Sequence, residues 1–282
     1  MPYVTIDGTE HFYTLEGTAR SGQVPRVFVH GWCGSSRYWE PLIADSANRT
    51  LCLSYDLRGF GRSRLTATAS RDFSLEAYSR ELLALIDHLG FERIDLNAHS
   101  MGASIGLAFA NLFPERVRRL ILTCTGVFEY EMLLFETFYL ASNIVIALRP
   151  AWIVHLPPIR TAFQRRFVHK LLEDRWARLF LEDYVVASSA AARGTLYSSI
   201  GKHATYQMPD AFRQLQVPTL LISGERDQII PATGARRASE LNPQLRLEVI
   251  PATGHFPMLE AQRDYQQIVE RFLTETDESP PG

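Results

Sequence analysis

The chain has 282 residues, enough for one large α/β domain or two small ones. Its hydrophobic share of 46% is that of an ordinary globular protein, and a net charge of −2 argues against nucleic acid as a main partner. Three cysteines without paired spacing, Cys33, Cys52 and Cys124, imply neither a disulfide framework nor a metal site, and the start Met1-Pro2-Tyr3-Val4 lacks the basic and apolar regions of a signal peptide, so a cytoplasmic setting is expected.

Tyr3 to Ile6 and His11 to Leu15 read as two short strands around an Asp7-Gly8 turn. Val27-Phe28-Val29 is apolar at every position, as a strand buried on both faces should be, and runs into the small-residue loop His30 to Ser36. Tyr38 to Ala44 reads as a short helix and Leu51 to Tyr55 as the next strand. Leu75, Tyr78, Leu82, Leu85, Ile86 and Leu89 recur at helical spacing, with Gly90 as the stop. Ile94 to His99 is a strand, a helix follows to about Phe113, and Val117 to Thr123 is another buried strand. From about Gly126 to Met208 helices are expected but no strand. After Pro209 the alternation resumes, with a strand over 217–223, a helix over 232–241, a strand over 245–250 and a closing helix over 261–274. Strands alternating with helices imply right-handed crossovers and a doubly wound, mostly parallel sheet.

The chemistry centres on Ala98-His99-Ser100-Met101-Gly102, where a strand turns sharply into a helix. Such a turn pushes the serine hydroxyl out of the sheet and demands small residues two before and two after it. Alone, the string also fits a serine capping an ordinary helix. In context it resembles the nucleophile elbow of the α/β-hydrolase superfamily, with Ala98 where glycine is usual. The resemblance extends over about residues 27 to 260. Gly224-Glu225-Arg226-Asp227-Gln228-Ile229-Ile230-Pro231 is similar to the family's G-x-x-D-x-x-x-P pattern, and His255 follows the last strand in Ala252-Thr253-Gly254-His255-Phe256. The likeness implies Ser100 as nucleophile, His255 as base and Asp227 as the residue that orients it, with Glu225 the lesser choice. His30-Gly31-Trp32 is similar to the family's H-G-x turn, which implies the N–H groups of Trp32 and Met101 as the oxyanion hole. Asp56-Leu57-Arg58-Gly59-Phe60-Gly61-Arg62-Ser63 is similar to a supporting signature, D-x-R-G-x-G-x-S; a catalytic Asp56 is the minor alternative. His30 and His99 are read as structural, and Cys33 as either lining the pocket or filling space.

The same resemblance implies an α/β-hydrolase core in two parts, residues 1–125 and 209–275, and a helical lid over 126–208 inserted after strand six; the polar, Pro-rich composition at the end of the chain reads as a disordered tail over 276–282. A serine at the elbow argues against the dehalogenase and epoxide-hydrolase branches, which place aspartate there. The expected activity is hydrolysis of a lipophilic carboxylic ester through an acyl-enzyme, without cofactor or metal; carbon–carbon hydrolysis of a diketone and a small-molecule receptor on the same fold stay open. In the lid, Met132 to Leu148 carries one charge, Glu136, and Arg160, Arg165, Arg166, Lys170, Arg175 and Arg178 follow. The favoured reading packs the apolar face inward beneath solvated arginines; peripheral contact with an anionic membrane is the other.

Overall fold

The structure, a computed structural model, describes residues 2–18, 22–128 and 132–277. Eight strands form one sheet in the order β1-β2-β4-β3-β5-β6-β7-β8. β1 (Tyr3–Ile6) and β2 (Thr9–Glu16) form an antiparallel hairpin, and β2 joins β4 (Cys52–Tyr55) antiparallel. β3 (Arg26–Val29), β5 (Ile94–His99), β6 (Val117–Thr123), β7 (Thr219–Gly224) and β8 (Leu245–Ile250) pair in parallel with one another and with β4. The mostly parallel, eight-stranded fold class expected from the sequence is the one observed.

Two-residue periodicity divides the core between the sheet's faces. Val27, Val29, Leu120 and Leu122 meet α2 (Leu75–His88) and α3 (Met101–Leu112) through Leu82, Ile86, Ile105 and Phe109. Phe28, Ile121, Leu220 and Ile222 face the other way, toward Leu42 and Ile43 of α1 (Glu40–Ser46) and Tyr265, Val269 and Phe272 of α11 (Gln262–Asp277). Burying each such side chain contributes about 1.5–3 kcal/mol. Both faces are therefore covered, and the loops at the carboxyl ends of the strands are left to carry the site.

Between β6 and β7 the described residues form helices α4 (Met132–Ala147), α5 (Pro157–Arg165), α6 (Asp174–Val186), α7 (Ser189–Ile200) and α8 (Lys202–Gln214), with a 3-10 turn over Ala151–His155. α9 (Ala232–Ser239) and a short α10 (Pro257–Glu260) follow in the second part of the core.

Several local expectations are corrected. Residues 38–44 are not one helix: a 3-10 turn covers Ser36–Trp39 and α1 then begins at Glu40, because Pro41 suits a first helical turn, where its missing N–H is not needed. The break read at Pro209 falls inside α8, which runs through that proline. Thr276 and Asp277, read as tail, complete α11; the rest of the expected tail, residues 278–282, lies outside the described residues. So do residues 129–131 at the start of the expected lid. The apolar stretch does not turn wholly inward: Leu140, Ile144, Val145 and Leu148 are exposed while Ile146 is 1% exposed. A helix apolar on all sides has no polar face to give to water.

Candidate active site

β5 delivers the chain into Ser100, and α3 starts at the next residue. Ser100 sits at φ 55° and ψ −123°, a sparsely populated conformation that costs a non-glycine residue about 1–3 kcal/mol. Its N–H donates to the Thr123 carbonyl at 2.8 Å, and its carbonyl accepts from Ala103 and Ser104 at 2.8 and 3.2 Å. The turn is crowded. A Cβ at Gly102 would lie 2.4 Å from the His30 carbonyl oxygen and 2.8 Å from that of Val29. At the other small position, Ala98 is accommodated by Gly106 on α3, where an added Cβ would come 3.1 Å from the Ala98 methyl. The missing glycine at 98 is thus matched by a glycine two turns into the helix.

Three expected residues come together. The Ser100 hydroxyl lies 3.0 Å from His255 Nε2, and His255 Nδ1 lies 2.7 Å from Asp227 Oδ2. An ionised Asp227 can only accept, so Nδ1 carries the proton and Nε2 is left to accept from the serine hydroxyl. Asp227 Oδ1 accepts from the N–H groups of Ile229 and Ile230 at 2.8 and 2.9 Å. Burial alone would raise this carboxyl, but the electrostatic pull of the adjacent His255 ring and these hydrogen bonds outweigh it and hold the group below the usual carboxylate range.

Gly31 runs so close to Ser100 that a Cβ on it would sit 3.0 Å from Ser100 Cβ. The Trp32 N–H is the next along the chain. Neither it nor the Met101 N–H has an acceptor among the described residues. His30 is fully buried: its Nδ1 donates to the Gly31 carbonyl at 2.8 Å and its Nε2 accepts from the Leu57 N–H at 2.9 Å. Burial lowers its pKa, and the neutral ring fixes the turn. Asp56 is occupied structurally, accepting from the N–H groups of Ser36 and Arg62 at 2.8 Å each. Glu225 accepts from the Ala252 N–H at 3.0 Å and pairs with Arg226. His155, His169 and His203 are all exposed in the helical segment.

The sequence reading missed how much of this site is held from a distance. His99 Nε2 donates to the His255 carbonyl at 2.7 Å, and its ring lies 4.8 Å from that of Phe256; burial lowers its pKa to about 3, so it remains a neutral strut. The His255 N–H donates to the Phe167 carbonyl at 2.8 Å. The Glu260 carboxylate accepts from Gly254 and Phe256 on the histidine loop and from His169 and Lys170 on the helical segment. Trp32 Nε1 donates to the Ala192 carbonyl at 2.8 Å. Asp183 on α6, 0% exposed, accepts from Ser35 Oγ at 2.6 Å in the loop that follows Trp32 and pairs with Arg37 in the 3-10 turn after it. Burial raises Asp183 to about 6 against the pull of Arg37 and Ser35. An acid four residues after Phe256 and an acid inside an otherwise amphipathic helix were the visible signals for Glu260 and Asp183.

Ligand atoms of His99, Cys124 and His255 lie within 4.8 Å of one another. Both ring nitrogens of His255 are engaged with Ser100 and Asp227, and burial beside Asp227 keeps the Cys124 thiol well above its ordinary value. That donor set suits a serine–histidine–carboxylate relay better than a cation. Cys33 is buried against the core with its thiol pushed up by desolvation.

A hydroxyl, imidazole and carboxylate in this order, beside two free N–H groups, match what acyl transfer requires. The sequence profile of the alpha/beta hydrolase fold family matches residues 27–262, from β3 to the start of α11. The chain belongs to the alpha/beta hydrolase fold family. An uncharacterized protein of Mycobacterium tuberculosis is 27% identical over 95% of this chain and 82% of its own length. A 2-hydroxy-6-oxo-2,4-heptadienoate hydrolase of Pseudomonas putida is 25% identical over 90% of both chains. Among solved structures, a thermophilic esterase from Thermogutta terrifontis superimposes with a TM-score of 0.79 over 98% of this chain and 99% of that one, at 22% identity. The alpha/beta hydrolase fold thus spans nearly the whole chain.

Proposed function

We propose that this alpha/beta hydrolase is a serine hydrolase that cleaves a carboxylic ester of a lipophilic substrate. The observation that carries the reading is the unbroken chain from Ser100 Oγ through His255 to Asp227, at 3.0 and 2.7 Å. Ser100 Oγ attacks the ester carbonyl carbon as His255 Nε2 takes the hydroxyl proton. Asp227 holds the ring in one tautomer and stabilises the imidazolium. The Trp32 and Met101 N–H groups receive the oxyanion; losing one such donor costs about 3–4 kcal/mol of transition-state stabilisation. The carbon–oxygen bond then breaks, His255 returns the proton to the departing alcohol, and a water activated by His255 releases the acid from the acyl-enzyme.

The helical segment from α4 to α8 is the lid of this reading. Tyr184 of α6 packs its ring 6.2 Å from that of Trp32 and 5.1 Å from that of Phe163 of α5, an apolar wall beside the oxyanion loop that suits a greasy acyl or alcohol group. The relative named as a heptadienoate hydrolase supports a second reading, carbon–carbon hydrolysis of a diketone, because the same three side chains can serve it.

The test is turnover of p-nitrophenyl esters from acetate to palmitate, with a diketone arm, by wild type and Ser100→Ala, alongside fluorophosphonate labelling. Ester turnover that rises with chain length and falls on the order of 10⁶-fold in the variant is expected. Labelling that persists in Ser100→Ala overturns the assignment of the nucleophile. Diketone turnover without ester turnover moves the activity to the second reading.

A further inference from the structure

Of the large apolar side chains that stand exposed on the described residues, ten lie between Leu140 and Tyr206 and three elsewhere. They are ordered. Leu140, Ile144 and Leu148 recur every four residues along and just beyond α4, at 64%, 52% and 72% exposure, so they form a ridge on one helix face. Trp152, 61% exposed, stands in the 3-10 turn that follows. A scattered exposed leucine needs no explanation, but a continuous apolar ridge marks a surface that meets something.

The rim of the ridge is aromatic and cationic. Tyr139 of α4 lies 6.1 Å, ring to ring, from Tyr197 of α7. α7 turns Ala191, Ala192, Thr195 and Leu196 inward, toward the Trp32 loop, and Arg193 and Tyr197 outward. Lys202 opens α8 with its ammonium 6.0 Å from the Tyr206 ring. Arg193 and Lys202 have no acidic partner among the described residues. Over 132–208 the chain carries nine arginines and lysines against five acids, a net +4, whereas the whole chain carries −2.

We infer that this face docks on an anionic phospholipid bilayer, with the α4 ridge in the acyl boundary and Arg193 and Lys202 at the headgroups. An apolar ridge rimmed by aromatics and cations is the composition of an interfacial helix. Charge decides against a second copy: a two-fold dimer would set the same positive face against itself. No helix among the described residues is long and apolar enough to cross a membrane, so the ridge lies along the surface. The inference goes beyond the ester-hydrolase reading, because docking needs no turnover. If both hold, α7 links the bilayer face to the oxyanion loop through the Ala192–Trp32 hydrogen bond.

The experiment is co-sedimentation of the full chain with phosphatidylcholine vesicles, with and without phosphatidylglycerol. Binding to the anionic vesicles alone, weakened by salt, is expected. Ile144→Glu with Leu148→Glu should abolish it, and Arg193→Glu with Lys202→Glu should weaken it by at least about fivefold per cation. Both pairs should keep wild-type turnover of a soluble p-nitrophenyl ester, and if that activity is absent for want of the proposed function, an unchanged circular-dichroism melt reports the fold. Equal binding to neutral and anionic vesicles, binding that survives the Ile144 and Leu148 changes, no binding at all, or a dimer by light scattering that those changes dissolve, each overturns the proposal.

Discussion

The turn that carries Ser100 and the loop that carries His255 are held in different ways. Around Ser100 the restraints are steric and lie within the core: the β5–α3 junction, the Thr123 carbonyl, the His30 and Val29 carbonyls pressed on Gly102, and Gly106 fitted to Ala98. Around His255 and Trp32 they are polar and come largely from the helical segment: the Phe167 and Ala192 carbonyls, the Glu260 carboxylate bridging both sides, and Asp183 on the loop after Trp32. Ser100 is therefore placed by the sheet and α3, whereas His255 and Trp32 depend also on how the α4–α8 segment docks. That segment is part of the frame that holds His255 and Trp32.

Three substitutions break or sharpen this contrast. Gly102→Ala attacks the steric side. The new Cβ cannot coexist with a carbonyl oxygen 2.4 Å away, so the β5–α3 junction must shift. Stability should fall by about 1–3 kcal/mol, and turnover by about 10²-fold if the shift approaches 1 Å. A thermal melt and kcat measured together check this, and a variant with unchanged kcat removes the steric account.

Asp183→Asn attacks the polar side. Asn keeps an acceptor for Ser35 but loses the pairing with Arg37, so kcat should drop by about tenfold with KM little moved, against no change for the exposed Asp210→Asn. The pH dependence is specific. With its pKa raised from 3.8 to about 6, Asp183 holds a proton in the folded state that the unfolded chain has already released. Its contribution to stability is greatest near pH 4, falls as pH rises to about 6, and is flat above that. The variant should lack this part of the slope in melts taken from pH 4 to 7. Glu260→Gln is the mildest change, since one carbonyl oxygen still accepts; a loss of about 1 kcal/mol of stability and a small drop in kcat are expected. If it matches Asp183→Asn in kcat, the histidine loop leans on the helical segment as strongly as the Trp32 loop does.

How much was legible in the sequence follows the same division. Ser100, Asp227 and His255 stood in short local patterns at strand ends, and the structure brings all three within hydrogen-bond reach. The strands were readable where they hold an unbroken apolar run, Val27 to Val29 in β3, Leu120 to Leu122 in β6 and Leu220 to Ile222 in β7, as strands covered on both faces do. The bridges made by Asp183 and Glu260 to the far side of the site were not, because Ser35 lies 148 residues from the first and His169 lies 91 from the second, and a carboxylate in a helix usually faces water. Helix α8 departs from the expected break at Pro209 for a tertiary reason: burial of Met208 and Phe212 carries the helix past the proline. In α4 the apolar count was seen and its direction was not, since periodicity cannot orient a helix that is apolar all round.

The hydrogen bonds of the site join distant parts of the chain: 155 residues separate Ser100 from His255, 156 separate His99 from His255, and 160 separate Trp32 from Ala192. Contacts of such separation close after local helices and hairpins, once the entropy of the large loops has been met. In refolding, helical signal should therefore return first and the site last. A chain halted before the α4–α8 segment docks would carry a formed Ser100 turn while His255 still lacks the Phe167 carbonyl that ties its backbone.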